Sequence, residues 1–265
     1  MAEKISFVVL TWNSDETIRM CIDGIVGNCG SEGLDYEIII VDNGSSDGTV
    51  GTIESYNGVP ISLIQLNENK GTTYTRNLAI KKSSGNVICI IDSDASFIEG
   101  RIGDICSALR NDPSIGIIAP QLIESSGSIQ TSVRKFPSVL GKISRIPKII
   151  FKMKMKEFDS YKDFPFTEKT EVDCAISACW FLRSDLFEQI GLLDERIFYS
   201  PEDVDYCLRA RKHGKKIVYF PEFKVLHKTQ QITHNKVISK IAFSHLYGLV
   251  YYFFKHKYVR NPGIK

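Results

Sequence analysis

No apolar run in this chain approaches the length of about 20 residues that a bilayer-spanning helix needs. The longest near the C-terminus is Leu246 to Phe254. Met1-Ala2-Glu3-Lys4 leads directly into a strand-like stretch, without the long apolar region and small-residue cleavage site of a secretory signal. Neither sign of charge dominates: 33 Lys and Arg against 31 Asp and Glu leave +2, which excludes a chain built throughout to bind polyanions. No two cysteines form a Cys-x-x-Cys pair, which removes the usual zinc and dithiol sites. Cys21, Cys29, Cys89, Cys106, Cys174, Cys179 and Cys207 mostly sit inside apolar stretches and read as small, reduced core residues. That usage points to a reducing, cytoplasmic compartment. There is no internal repeat and no low-complexity segment.

What is present is apolar material for one sizeable domain: 43% of 265 residues. Over the first 120 residues, buried-strand patterns alternate with helical periodicity. Ile5 to Leu10, Glu37 to Val41, Ile61 to Leu66, Asn86 to Ile91 and Ile115 to Ala119 read as strands. Ser14 and Asp47 stand where helix N-caps are expected, and Thr72 and Ile102 begin further helical stretches. Strand alternating with helix predicts an α/β fold with a mainly parallel central sheet flanked by helices. Beyond Pro120 the pattern is less regular and predicts a mixed half. Val172 to Leu182 reads as one buried strand, Ser200-Pro201-Glu202-Asp203 as the opening of a helix, and Lys216 to Phe220 as a short strand. The expected division is 1–120 for one half, 121–230 for the second half of the same domain, and 231–265 for a helical, basic and aromatic tail.

In such sheets ligands bind beyond the carboxyl ends of the strands. Four polar clusters stand there: Thr11-Trp12-Asn13, Asp42-Asn43-Gly44-Ser45-Ser46-Asp47, Asn67 to Gly71, and Asp92-Ser93-Asp94. Hard carboxylate oxygens suit Mg²⁺ or Mn²⁺, which commonly share their shell with substrate phosphates. Asp92-Ser93-Asp94 alone is an ordinary acidic turn; its place in line with the other clusters makes it a metal and diphosphate candidate. Asp42 ends its strand, where no cap needs it, so it is a ligand candidate. Arg76, expected on the first turn of its helix, could reach a phosphate or a sugar. Glu202-Asp203-Val204-Asp205 puts three carboxylates in four positions, more than a helix cap uses, and one could act as a general base. His227 closes a short apolar stretch and is a metal or diphosphate candidate.

Taken together these residues resemble a family 2 glycosyltransferase with the GT-A fold. The resemblance is carried, in order, by Val8 to Ser14, Val41 to Thr49, Asn69-Lys70-Gly71, Arg76-Asn77 and Asp92-Ser93-Asp94. It continues through Val172-Asp173, Ser177-Ala178-Cys179, Leu193-Asp194-Glu195, Glu202 to Asp205, Pro221 and His227, covering about residues 4–230. The resemblance implies that Thr11, Asn13, Asp42, Asn43, Arg76, Asp92 and Ser93 bind the nucleotide and donor. It implies that Asp94, with His227, holds Mg²⁺ or Mn²⁺ and that Asp203 is the catalytic base. Trp180 and Glu202 fall where a sugar packs. The second half is similar to rhamnosyltransferase-like members that build surface polysaccharide. Two places depart from the family pattern: Gly191-Leu192-Leu193-Asp194 before the acidic helix, and Lys228-Thr229-Gln230-Gln231 after the histidine.

The expected reaction is therefore an inverting transfer of a sugar from a UDP- or dTDP-linked donor to a saccharide or lipid-linked saccharide. A sugar nucleotidyltransferase would need a glycine-rich, basic phosphate loop after the first strand, which Thr11-Trp12-Asn13-Ser14 does not supply. A non-catalytic nucleotide-sugar-binding protein would have no use for both Asp94 and Asp203. Nucleic acid is not an expected partner, because no recognition motif accompanies the basic stretches. Residues 134–156 hold eight Lys or Arg and no acid. Together with the Tyr251-Tyr252-Phe253-Phe254-Lys255 tail they suit either a peripheral contact at the inner face of the plasma membrane or an ordinary solvated face.

Overall fold

The structure is a computed structural model that describes residues 3–139, 141, 161, 163–228 and 240–257. The alternating pattern of the first half becomes β1 (Lys4–Thr11), α1 (Asp15–Glu32), β2 (Asp35–Asp42), α2 (Thr49–Glu54), β3 (Ile61–Gln65), α3 (Thr72–Lys82) and β4 (Val87–Asp92). These strands pair in parallel, β3 on β2, β2 on β1 and β1 on β4. A strand not expected from the sequence, β5 (Ala95–Glu99), follows Asp94 at once, and α4 (Ile102–Asn111) and β6 (Ile115–Ile123) come next.

The second half is mixed, as expected. It consists of β7 (Val133–Arg134), β8 (Thr170–Val172), β9 (Cys174–Ala175), β10 (Cys179–Arg183), α5 (Asp185–Ile190), α6 (Glu202–Lys212), β11 (Lys216–His227) and α7 (Lys240–His256). The single strand expected over Val172 to Leu182 is instead three short ones. The chain turns at Ser177, whose side chain is drawn to Glu202. The main sheet runs β3-β2-β1-β4-β10-β6-β11-β5, with β8 also on β11. β10 is antiparallel to both β4 and β6, and β11 is parallel to β6.

Strand alternation sends side chains to two cores. Phe7, Val9, Cys89, Ile91 and Phe181 join Ile18, Cys21, Ile22 and Ile25 of α1 on one face. Val8, Ile88, Ile90, Trp180 and Leu182 join Ala79 and Ile80 of α3 and Tyr206, Cys207 and Leu208 of α6 on the other. All seven cysteines are free and buried. Trp180 is therefore a core residue and not a sugar contact. It stands opposite Ile90 on the face that α6 covers, is fully buried, and stacks on Tyr206 at 6.2 Å.

The capping expectations are met in part. Asp47 accepts from the Thr49 amide at 3.1 Å beside α2. Ser14 stands at the N-cap of α1 without a side-chain cap bond, because its hydroxyl is 2.8 Å from that of Ser93. The basic stretch 134–156 lies mostly outside the described residues. The aromatic tail forms part of α7, and among the described residues no helix is long and apolar enough to cross a membrane.

Candidate active site

The carboxyl ends of β1 and β4 open onto a cavity of about 640 Å³, which the loop before α6 and its first turn also line. Asp92, Ser93, Asp94, Arg76, Asn43, Ser177, Glu202, Asp203 and His227 all line it. Two acidic groups more than a hundred residues apart in sequence thus face one space.

The turn Asp92-Ser93-Asp94 sits between β4 and β5, and the end of β11 comes to the same place. β11 pairs with β6 on both sides of a register shift between Phe220 and Lys224, while its other edge pairs with β8 before the shift and with β5 after it. His227 is thereby set opposite Ala95, and its Nε2 lies 3.4 Å from Asp94 Oδ1. Ligand atoms of Asp92, Asp94 and His227 lie within 4.8 Å of one another. Gln130 Oε1 is 2.8 Å from His227 Nδ1, which suits a proton on Nδ1 and leaves the Nε2 lone pair for a metal. Burial lowers the His227 pKa, but the Asp94 carboxylate outweighs it and the net shift is upward. Burial raises the Asp92 pKa, Asp94 adds to that, and Arg76 opposes it. Two crowded carboxylates and an imidazole with an inward lone pair fit a divalent cation.

Arg76 lies on the second turn of α3, one turn deeper than expected, and is only 3% exposed. Its Nη2 donates to Asp92 Oδ1 at 2.6 Å, and its Nη1 to Ser177 Oγ at 2.8 Å and to Glu202 Oε1 at 3.3 Å. The guanidinium therefore joins the β4 carboxylates to α6 beneath the cavity. Glu202 Oε1 also accepts from Ser177 Oγ at 2.9 Å. Burial, with Asp203 beside it, pushes the Glu202 carboxyl up to about 7 despite Arg76. Asp203 accepts from the Val204 amide at 2.8 Å and remains partly exposed on the cavity wall.

The residues at the β1 and β2 ends divide differently from the expectation. Asn43 reaches the cavity, with its amide held by Asn69 at 2.9 Å and by the Lys70 amide at 2.8 Å. Thr11 and Asp42 are buried behind the wall, where Thr11 Oγ1 donates to Asp42 Oδ1 at 3.0 Å and the Ser45 amide to Oδ2 at 3.0 Å. Asn13, at φ 50°, accepts from the Ser46 amide at 2.9 Å and donates its own amide to Ser45. This interlocked turn shapes the rim beside Trp12 and Ser14.

Ser177 and Gln130 were not singled out from the sequence. Ser177 stands inside Ser177-Ala178-Cys179, which carries the resemblance without implying a role for it, and nothing near Gln130 marks it. Gly71 begins α3 with φ +90°, and a Cβ there would come within 2.5 Å of the Phe198 carbonyl oxygen on the cavity wall. Gly71→Ala is expected to cost about 2 kcal/mol. That is a drop of roughly 4–8 °C in melting temperature; a melting curve superimposed on wild type would show that the contact relaxes freely.

Residues 6–191 match the family described as "Glycosyl transferase family 2". Among curated relatives, the N-acetylglucosaminyl-diphospho-decaprenol L-rhamnosyltransferase of Mycobacterium tuberculosis is 26% identical over 219 residues, covering 78% of this chain and 71% of the relative. Among solved structures, S. aureus TarS 1–349 in complex with UDP-GlcNAc superposes with a TM-score of 0.59 at 18% identity, over 89% of this chain and 62% of that one. GalNAc-T7 with UDP, GalNAc and Mn²⁺ gives a TM-score of 0.68 at 14% identity, over 96% of this chain and 48% of that one. At these identities the solved structures speak for the fold.

Proposed function

This chain belongs to glycosyl transferase family 2, and on that premise we propose that it transfers a sugar, with inversion, from a nucleotide-diphosphate donor to a hydroxyl of a saccharide, free or lipid-linked. The observation that carries the reading is that one cavity is lined both by the Asp92, Asp94 and His227 cluster and by Asp203. A transfer of this kind needs charge neutralised on a departing diphosphate and a proton taken from an incoming hydroxyl.

Asp92, Asp94 and His227 would hold Mg²⁺ or Mn²⁺, which when bound supplies positive charge against the diphosphate. Arg76 keeps Asp92 oriented from below. Asn43 and the rim around Ser14 receive the nucleotide, and the turn built on Thr11, Asn13 and Asp42 holds that rim in shape. Asp203 accepts the proton of the acceptor hydroxyl, while Glu202, pinned by Ser177 and Arg76, fixes the first turn of α6. The TarS structure contains UDP-GlcNAc, which supports a nucleotide-diphosphate donor, and the mycobacterial relative is named for rhamnosyl transfer to an N-acetylglucosaminyl-diphospho-decaprenol, which supports a lipid-linked acceptor.

The test is a thermal-shift panel of UDP, dTDP and GDP, each with and without Mn²⁺, on wild type and Asp94→Ala. A ligand bound only by the folded state stabilises by about 2.7 kcal/mol at a hundredfold excess over Kd. The expected result is a shift that needs both nucleotide and Mn²⁺ and is lost in Asp94→Ala. A wild-type protein indifferent to every nucleotide-metal pair would remove the reading.

A further inference from the structure

Helix α7 has an inner and an outer face, and the outer one is apolar. Leu246, Val250 and Phe254 fall at the i, i+4, i+8 spacing of one stripe with Tyr247 beside it, and Leu246, Tyr247, Val250 and Phe254 are 57%, 58%, 62% and 77% exposed. The inner face is committed. Tyr252 is buried, Tyr251 and Lys255 bond Asp194, and Lys255 and His256 bond Asp205 of α6. Gly248 lies against the Ser200 carbonyl, so closely that a Cβ would come within 2.2 Å of its oxygen. Ser200 and its neighbours Phe198 and Tyr199 line the cavity, and those two aromatic residues are themselves exposed. The apolar stripe thus runs on a helix that rests directly on the mouth of the site.

We propose that the outer face of α7 docks on an anionic lipid bilayer and holds the cavity mouth at that surface. Charge selects this occupant. From Phe223 to the C-terminus the chain carries eight Lys or Arg and no Asp or Glu, although Lys224 pairs with Glu99 and Lys255 with Asp194 and Asp205. A helix with large exposed apolar side chains in so basic a segment has the composition of an interfacial anchor. A second copy of the chain would bring the same basic segment against itself, since a two-fold contact pairs like with like. The proposal deepens the acceptor reading by giving a lipid-linked acceptor a surface to arrive on. It is tested by binding and not by turnover, so the two can fail separately.

The experiment is flotation of the full chain with vesicles of phosphatidylcholine alone and of equal phosphatidylcholine and phosphatidylglycerol. It compares wild type with Leu246→Asp/Val250→Asp/Phe254→Asp and with the single Phe254→Asp. Melting curves establish that each variant folds, and the single variant decides if the triple one does not. Wild type should float with the anionic vesicles and stay behind with the neutral ones. The triple variant should lose about tenfold in partitioning, with the single variant between. Wild type left behind by both vesicles overturns the proposal, and so do variants that float as wild type does. Light scattering that shows a wild-type dimer and a monomeric triple variant also overturns it, because the stripe would then be a self-association face.

Discussion

Asp203→Asn should lower kcat by about 10²–10⁴-fold while leaving the nucleotide- and Mn²⁺-dependent thermal shift intact. The carboxylate is on the cavity wall, and the hydrogen bond described for it comes from the Val204 amide. Asn keeps the shape and the acceptor oxygen but cannot take a proton at neutral pH. Its neighbour provides the control. Glu202 also lines the cavity and its pKa is pushed up to about 7, which would suit a base. Its Oε1, however, already accepts from Ser177 and Arg76, and the residue is buried. Glu202→Gln keeps that acceptor, so it should cost about tenfold, far less than the loss at Asp203. The rates would be read with the nucleotide donor in single-turnover assays. If the ranking is reversed, with Glu202→Gln dead and Asp203→Asn active, the proton belongs to Glu202.

Removing Asp205 should have the largest effect on stability. Its carboxylate is 1% exposed and takes Arg209 at 2.9 Å, Lys255 at 2.6 Å and His256 at 2.8 Å. Asp205→Ala leaves Arg209, Lys255 and the His256 ring without their shared carboxylate partner. Breaking a buried ion pair from one side costs about 3–5 kcal/mol. Lys255 retains Asp194, and Arg209 retains the carbonyls of Ile190 and Leu192, which places the expectation at about 3 kcal/mol. Melting should fall by roughly 6–12 °C. Burial raises the Asp205 pKa, but His256, Arg209 and Lys255 more than reverse this, so the folded value lies below the ordinary one. A carboxylate depressed in the folded state contributes stability above its ordinary pKa of about 3.9, and that contribution is lost as pH falls through the folded value. The gap between wild type and Asp205→Ala should therefore be full at pH 7 and narrow below about pH 3.9. A gap that widens under acid would mean that Asp205 is not held as the carboxylate of this network.

The first half of the fold was legible because its strands are buried on both faces and read as unbroken Val and Ile runs. The positions of Asp92, Asp94 and Asn43 followed from counting strand ends. What escaped depends on contacts distant in sequence. Arg76 reads in the sequence as an arginine on the first turn of a helix that could reach a phosphate or a sugar. Only the arrival of Ser177 and Glu202, 101 and 126 residues away, makes it a buried tie. The resemblance puts Trp180 where a sugar packs, yet the register of β10 against β4 turns it to the core. Asp205 belonged to an acidic cluster in which composition could not separate the residue facing the cavity from the one facing α7. β5 was missed because five residues after an acidic turn carry no periodicity to read.

The strand order has one more consequence. β10 and β11 come from the second half of the chain, yet each is inserted between two strands of the first half: β10 between β4 and β6, β11 between β6 and β5. The two halves interlock like the teeth of two combs. A fragment ending at Ile123 would hold all of β1 to β6 but leave two open slots, each bordered by unpaired amides and carbonyls. The polypeptide that carries Asp94 thus has a complete sheet only with the strands that flank Asp203 in place, so the finished sheet and the finished site depend on the same two insertions.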